Sequence, residues 1–257
     1  EMSASLVGSE MCIRDRMKLF NNGTFFRNTG LSFQLSSNLF TRFLSYFIMQ
    51  KRRNVTMAQW MKATDYHLMN TGVTFESASK DLKDLFDRCE YYCKKNLAVF
   101  TDKKILREGS DYDGVWLETQ PMGGEMYAKR DMEAALNNQL IFMENQRKSG
   151  RLPGMIKYQE PFLLQVSYDW LQGFCFPVPA FKMYFLIDRD PNYLALLYEC
   201  LKSYDEYLWK YRDSDNDGCL ETWCTWDTGE DNSMRFTKYG APDGGFGGED
   251  APSGLGK

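Results

Sequence analysis

The sequence predicts an all-α protein, an array of helical hairpins, on two observations. Apolar residues recur at helical spacing in several stretches that loops separate, and hardly any stretch alternates apolar and polar residues as a half-buried strand does. The length of 257 residues suits one large domain or two small ones, and a hydrophobic content of 43% is enough for a buried core.

The first predicted helix spans residues 74–96. Its apolar residues recur every three or four positions with charged residues between them, which predicts an amphipathic helix; they are Phe75, Ala78, Leu82, Leu85, Phe86, Cys89 and Cys93. The next stretch, 97–124, is predicted to be irregular. Its adjacent glycines, Gly123 and Gly124, follow Pro121 and indicate a tight loop.

Three more helical stretches follow, separated by turns. Residues 126–148 carry one apolar stripe and end at Ser149-Gly150, and 151–155 are predicted to be a turn. Residues 161–174 are predicted to be helical, and a short apolar helix is predicted at 181–187 after Pro177 and Pro179. The inward residues of these stretches are Met132, Ala135, Leu136, Leu140 and Met143 in the first, and Phe162, Val166, Trp170 and Leu171 in the second.

The last predicted helix begins at Asp190-Pro191 and runs to about Tyr211. Asp190 can accept the unpaired amide protons of the first turn, and Pro191 lacks a donor that would go unpaired at that position. Its apolar stripe consists of Leu194, Leu197, Cys200, Leu201, Tyr204 and Leu208.

The two ends of the chain are assigned separately from the domain. Residues 5–15 resemble one translated reading frame of a transposon-end sequencing adapter, so 1–16 are expected to be an artefact. Residues 17–55 are an unassigned leader, and 56–257 are expected to form the domain. A Gly- and Pro-rich stretch follows 239, and no predicted helix follows it.

Composition excludes several classes of partner. With 31 Lys and Arg against 35 Asp and Glu, the chain has no basic block for a nucleic acid. No signal peptide is visible, and the longest apolar run, 39–49, is interrupted by Arg42, so no membrane partner is expected. The seven cysteines match no disulfide framework or zinc spacing, and His67 is the single histidine; reduced thiols suggest a cytoplasmic protein.

Carboxylates and aromatic residues are concentrated in residues 211–236. Carbohydrate chemistry needs both, because an acid protonates the glycosidic oxygen and sugar rings lie on flat apolar surfaces. The acidic residues include Asp213, Asp215, Asp217, Glu221, Asp227 and Asp231, and the aromatic ones include Trp223, Trp226 and Phe236. A carbohydrate substrate is therefore the expected partner.

Asp213, Asp215 and Asp217, with Gly218 after them, match the first half of a calcium-binding loop. The twelfth position, where such a loop has a bidentate acid, is Cys224, which argues against an EF-hand. Two interpretations remain, a turn that ends the preceding helix and a calcium ion tied to Glu221. No cofactor is predicted, with calcium kept as the alternative.

Two groups of residues resemble glycoside hydrolase family 63, the processing α-glucosidases and their bacterial relatives. One is 226–233, Trp-Asp-Thr-Gly-Glu-Asp-Asn-Ser, preceded by 213–221; the other comprises Gly150-Arg151-Leu152-Pro153 and the aromatic loop 116–127. The resemblance covers roughly residues 97–240. It implies an (α/α)6 toroid, incomplete in this chain, and hydrolysis of α-glucosides or α-mannosides with inversion.

The resemblance also implies roles for individual residues. Asp231 would be the general acid, and its neighbour Asn232 would bind substrate; without the resemblance, Asp231 would be interpreted as a helix cap. The loop at the barrel mouth would supply sugar contacts, with Glu118 and Glu125 as further hydroxyl acceptors or solvated carboxylates. The predicted substrate-binding residues are Trp116, Gln120, Tyr127, Trp226 and Asn232.

The second carboxylate distinguishes the hypotheses. An inverting hydrolase needs a base about 6.5–9.5 Å from the acid; in the family it comes from a late hairpin, so it is expected beyond Lys257 and this chain is expected to be an inactive fragment. A non-catalytic carbohydrate-binding or scaffold α-toroid would lack that base. A sugar epimerase of the same barrel type would use histidines, and His67 lies far upstream of the loops.

Overall fold

A computed structural model describes residues 62–68, 72–109, 111–159, 163–173, 175–229 and 244–250. Within them the helices are α1 (Lys80–Lys95), α2 (Gln120–Tyr127), α3 (Met132–Glu144), α4 (Pro177–Leu186) and α5 (Pro191–Tyr211). The strands are β1 (Leu97–Phe100), β2 (Lys103–Leu106), β3 (Gly114–Trp116), β4 (Met155–Gln159) and β5 (Leu163–Ser167). Short 3-10 turns lie at Ala63–Asp65 and Thr225–Thr228.

The all-α prediction, and with it the incomplete (α/α)6 toroid, is wrong. The strands form two antiparallel sheets, the hairpin β1-β2 and the three-stranded sheet β3-β4-β5. Strands of three to five residues are too short to establish a clear alternation in the sequence. In the hairpin, the two residues between Phe100 and Lys103 form the turn, and Thr101 has a φ of 58°.

The predicted helix at 161–174 is also wrong in its described part. Residues Leu163–Ser167 form β5, which pairs with β4 from Met155 opposite Ser167 to Gln159 opposite Leu163. The exposure of β5 alternates along the strand, with Leu163 and Gln165 more exposed than their neighbours. The pairing with β4 decides the conformation here, and it is not visible in the local sequence.

Helix α2 replaces the tight loop that Gly123 and Gly124 had suggested. Gly124 is needed for close packing, because a Cβ at this position would lie 2.7 Å from the Cβ of Asn138 on α3. Helix α3 confirms the centre of the second predicted helix. It begins after Asp131, whose carboxylate accepts a hydrogen bond from the amide of Ala134 at 3.0 Å.

The start of α5 confirms the sequence prediction. Asp190 Oδ1 accepts hydrogen bonds from the amides of Asn192 at 2.7 Å and Tyr193 at 3.2 Å. Helix α4 begins earlier than predicted, at Pro177, because proline is well tolerated in the first turn of a helix. Helix α1 confirms residues 80–95 of the predicted helix 74–96, but Phe75 and Ala78 lie before its start, and none of its residues is buried.

One hydrophobic cluster joins these elements. Helix α3 is at its centre: it packs against α2 and β2 and more lightly against α4, and α4 in turn packs against α2 and α5. Almost every residue of α3 is buried, including Asn137, Asn138 and Gln139, whose amides bond to backbone carbonyls. No helix within the described residues is both long enough and apolar enough to cross a membrane.

Candidate functional site

The turn that follows α5 packs against the segments that flank β4 and β5. The amide of Glu221 donates to the carbonyl of Arg212 at 2.6 Å, and the amide of Gln172 donates to the carbonyl of Asp227 at 2.8 Å. The loop after β3 joins the same region, since the amide of Leu117 donates to the carbonyl of Gly154 at 2.9 Å. Segments 116–120, 150–154, 170–173 and 212–229 therefore meet in one place.

Asp227 holds this region together from the inside. Its Oδ1 accepts from the amide of Leu171 at 2.6 Å, and its Oδ2 accepts from the amide of Trp223 and from Arg212 Nη1, both at 2.6 Å. The side chains of Arg212 and Asp227 are 0% and 1% exposed. Asp227 is therefore a buried clamp between two loops and does not face a substrate.

The Arg212 guanidinium is enclosed by aromatic groups. It lies 3.6 Å from the ring centroid of Trp223, and its Nε donates to Tyr207 Oη at 3.5 Å. Burial lowers the pKa of Arg212, but Asp227 and Tyr207 raise it by more, so the pKa lies above its usual value. Arg212 therefore stays charged beside Asp227.

Trp226 offers the clearest aromatic surface of the site. Its ring stacks on Trp170 with a centroid separation of 5.7 Å and an angle of 28° between the planes, and Trp226 remains 37% exposed. A Cβ added at Gly244 would lie 4.0 Å from Cε3 of the same ring. The sequence analysis selected Trp226 but placed Trp170 in a helix; the structure brings the two together across the end of β5.

A carboxylate lies at the end of the same turn. Gly229 ends the turn Thr225–Thr228 with a φ of 73°, and a Cβ at this position would overlap Glu118 Oε2. The left-handed backbone favours glycine here, and without a side chain at Gly229 there is room for the Glu118 carboxylate. Glu118 thus lies beside Gly229, at the end of the turn that carries Trp226. Gly229 is two residues before Asp231 in the sequence.

Asp231 and Asn232, the predicted acid and one of the predicted substrate-binding residues, lie outside the described residues. Trp116 is half-buried against Tyr112, with ring centroids 5.1 Å apart. Gln120 is buried, and its Oε1 accepts from the amide of Trp116 at 2.7 Å, so this oxygen already holds the loop together.

Tyr127 is separated from these groups by the length of α2. It is buried, and burial, with smaller contributions from Cys93, Asp131 and Glu90, raises its pKa. The structure therefore places Trp116, Glu118 and Gln120 along the short connection from the end of β3 to the start of α2, beside the Trp226 turn. It places Tyr127 near α1 and does not bring it to the same surface.

Two arginines, whose role the sequence analysis missed, hold the glycine-rich segment 244–250. Arg151 is fully buried and donates to the carbonyls of Gly248, Tyr168 and Phe246, the last at 2.9 Å. Burial lowers the pKa of Arg151. Arg147 donates to Glu249 Oε1 at 2.9 Å. The sequence signal for this contact was a pair of arginines four residues apart and a glycine-rich segment further along the chain.

Among the described residues, three aspartates after α5 lie close enough together to be candidate metal ligands. Asp213, Asp215 and Asp217 each offer an oxygen within 4.8 Å of the others, and Asp213 is buried while the other two are exposed. They also stabilise the turn, since Asp213 accepts from the amide of Gly218 at 3.3 Å. This arrangement could hold a metal ion.

Glu221 is engaged elsewhere. Its Oε1 accepts from the amide of Ser214 at 3.2 Å and from the hydroxyl of Ser214, and its Oε2 accepts from Trp223 Nε1 at 3.4 Å. Glu221 therefore ties the turn to the Trp223 side chain. It is not part of the aspartate group.

Comparisons with known proteins give no relative for this chain. Neither a protein-family model, nor a curated protein, nor a solved structure matches it.

Proposed function

We propose that this chain is part of a glycoside hydrolase that cleaves α-glucosides or α-mannosides with inversion, and that Asp231 is its general acid. The observation that supports the proposal is the exposed Trp226, backed by Trp170 and followed at Gly229 by the Glu118 carboxylate. An aromatic face beside carboxylates is the combination that binds and activates a sugar. The resemblance of 226–233 to family 63 selects this reaction from other carbohydrate chemistry.

The described residues suit a precise acid-bearing loop. Asp227 fixes the Trp226 turn through three hydrogen bonds of 2.6 Å, so the chain leaves Gly229 from a rigid support. A general acid must keep its proton near neutral pH, which an apolar wall and a neighbouring like charge both favour. Trp226 provides the apolar wall in this proposal, and Glu118 and Glu230 provide the like charge.

The reaction can be tested on the chain as it exists by supplying the nucleophile. Azide needs no general base, so it can replace the activated water in an inverting enzyme. Azide would attack C1 of phenyl α-D-glucopyranoside, the C1–O bond would break, and Asp231 would give its proton to the departing phenol oxygen. We expect phenol release in azide buffer, from the glucoside or the corresponding mannoside.

The control distinguishes an acid from a structural residue. Asp231→Asn should abolish release from the phenyl glycoside but not from the 2,4-dinitrophenyl glycoside, whose phenolate leaves without a proton. Circular dichroism should show an unchanged fold. Equal turnover of the phenyl glycoside by the variant would refute the role of Asp231, and sugar binding without release in water or azide would favour the non-catalytic carbohydrate-binding alternative.

We propose calcium as the metal ion for the aspartate group, Asp213, Asp215 and Asp217. Oxygen-only ligands select hard cations, and carboxylates at alternate positions before a glycine are a common calcium arrangement. Asp213 lies at the end of α5, so an ion there would stabilise the folded chain and raise its melting temperature as calcium is added. A melting temperature that does not change between EDTA and millimolar calcium would leave the aspartates as a helix-ending turn.

A further inference from the structure

Glu118 is held in place by the residues on either side of it. Leu117 is fully buried and its amide bonds to Gly154, while Gln120 is buried and binds the amide of Trp116. The amide of Thr119 donates to the carbonyl of Trp116 at 3.3 Å, which closes the turn. The backbone at Glu118 is therefore fixed on both sides, and its half-buried side chain extends to Gly229.

The carboxylate lies within one turn of the exposed tryptophan. The amide of Gly229 donates to the carbonyl of Trp226 at 3.3 Å, so the backbone that Glu118 contacts and the aromatic surface belong to the same short 3-10 turn. A sugar ring lying on Trp226 would have its hydroxyl groups pointing outward from its edge. The Glu118 carboxylate, which lies against Gly229 at the end of this turn, can accept hydrogen bonds from two neighbouring hydroxyls.

The neighbouring carboxylates are committed to other contacts. Asp227 is saturated by Arg212 and two backbone amides, and Glu221 is bound to Ser214 and Trp223. Glu125, on α2, pairs with Lys182 on α4 at 3.3 Å. A carboxylate has about four acceptor positions, so Glu118 can bind sugar hydroxyls in addition to a protein donor.

We infer that Glu118 is a specificity-determining residue, whose carboxylate binds two adjacent hydroxyl groups of the sugar that stacks on Trp226. This inference rests on the proposed function and deepens it. It assigns the site to sugars with a free vicinal diol at the edge that faces Glu118. A sugar substituted at either of those two hydroxyls would be excluded.

The test measures binding of methyl α-D-glucopyranoside and methyl α-D-mannopyranoside by isothermal titration. For the tighter ligand, Glu118→Gln should weaken binding about tenfold or more, because hydrogen bonds to a charged acceptor are lost. Glu206→Gln is the matched control, because Glu206 pairs with Lys202 on the exposed surface of α5, and it should bind as the wild type does. Both substitutions keep the side-chain shape, and thermal melts verify that the variants are folded.

Four monodeoxy analogues of the ligand, lacking the hydroxyl at C2, C3, C4 or C6, separate binding from a structural effect. Two analogues with neighbouring positions should bind the wild type weakly and should bind Glu118→Gln as well as the parent glycoside does. Equal binding by wild type and Glu118→Gln, or equal losses for all four analogues in both proteins, would overturn the inference and leave the proposed function standing. A wild-type chain that binds neither methyl glycoside would overturn the proposed function and this inference with it.

Discussion

Asp227→Asn tests whether the buried clamp organises the site. The substitution keeps the size of the side chain but removes its charge, leaving Arg212 buried without its partner. It also replaces one acceptor oxygen by a donor amide, which faces either the amide of Leu171 or the donors of Arg212 and Trp223.

The expected cost follows from these losses. Removing one partner of a buried ion pair costs about 3–5 kcal/mol, and each buried donor left unpaired costs about 1–3 kcal/mol, two estimates that overlap and are not added. We expect the free energy of unfolding to fall by about 3–5 kcal/mol, a large share of the ~5–15 kcal/mol that stabilises a domain.

Urea unfolding, followed by tryptophan fluorescence, measures this change. Asp84→Asn is the matched control, because Asp84 pairs with Lys80 on the exposed surface of α1, where such a pair contributes about 0–1 kcal/mol. Arg212→Met combined with Asp227→Asn should cost less than the sum of the two single changes. A loss below about 1 kcal/mol for Asp227→Asn, similar to that of the control, would refute the clamp.

Two further predictions concern packing and pH. Gly150→Ala should lower the free energy of unfolding by at least about 2 kcal/mol, because Gly150 has a φ of 97° and a Cβ would overlap the carbonyl oxygen of Ser203. Gly123→Ala, on α2, is the control and should cost nothing, because a Cβ there would have nothing within 4 Å. Equal effects of the two substitutions in urea unfolding would contradict this account. Burial raises the pKa of Cys200 to about 12 and, with smaller contributions led by Asp227, raises that of Cys224 to about 12 from the ordinary value of 9.0. The unfolded chain therefore ionises these thiols first, and the free energy of unfolding should fall as pH rises from about 9 to about 12. Mass spectrometry after iodoacetamide treatment at pH 8 should find exposed Cys219 labelled before Cys200 and Cys224, and simultaneous labelling would contradict the burial.

The sequence predicted the elements whose signals are local. Asp190-Pro191 marks the start of α5 by the chemistry of its own side chain and ring, and the structure has the predicted cap. Helix α3 lies within the predicted stretch 126–148, where apolar residues recur at helical spacing. The three-stranded sheet was missed because β3 pairs with β4 about 40 residues further along the chain, and a strand of three residues such as Gly114–Trp116 shows no period. Strand β5 pairs with the adjacent β4, but its five residues are too few to establish a clear alternation.

The candidate site was predicted in part. Trp226 was identified from its position among carboxylates, and the structure exposes it. The role of Asp227 could not be predicted, since its burial depends on Arg212 and on the return of Leu171 from another part of the chain. The sequence left Glu118 open between a hydroxyl acceptor and a solvated carboxylate, because only folding brings it to Gly229.

The anomeric configuration of the product tests the central proposal most directly. Proton NMR spectra recorded during the reaction of phenyl α-D-glucopyranoside with azide should show β-glucosyl azide as the first product, because attack on the face opposite the leaving group inverts C1. Any glucose formed with water as the nucleophile should also appear first as the β anomer. An α-configured first product, or no product under either condition, would contradict the assignment of this chain to an inverting glycoside hydrolase.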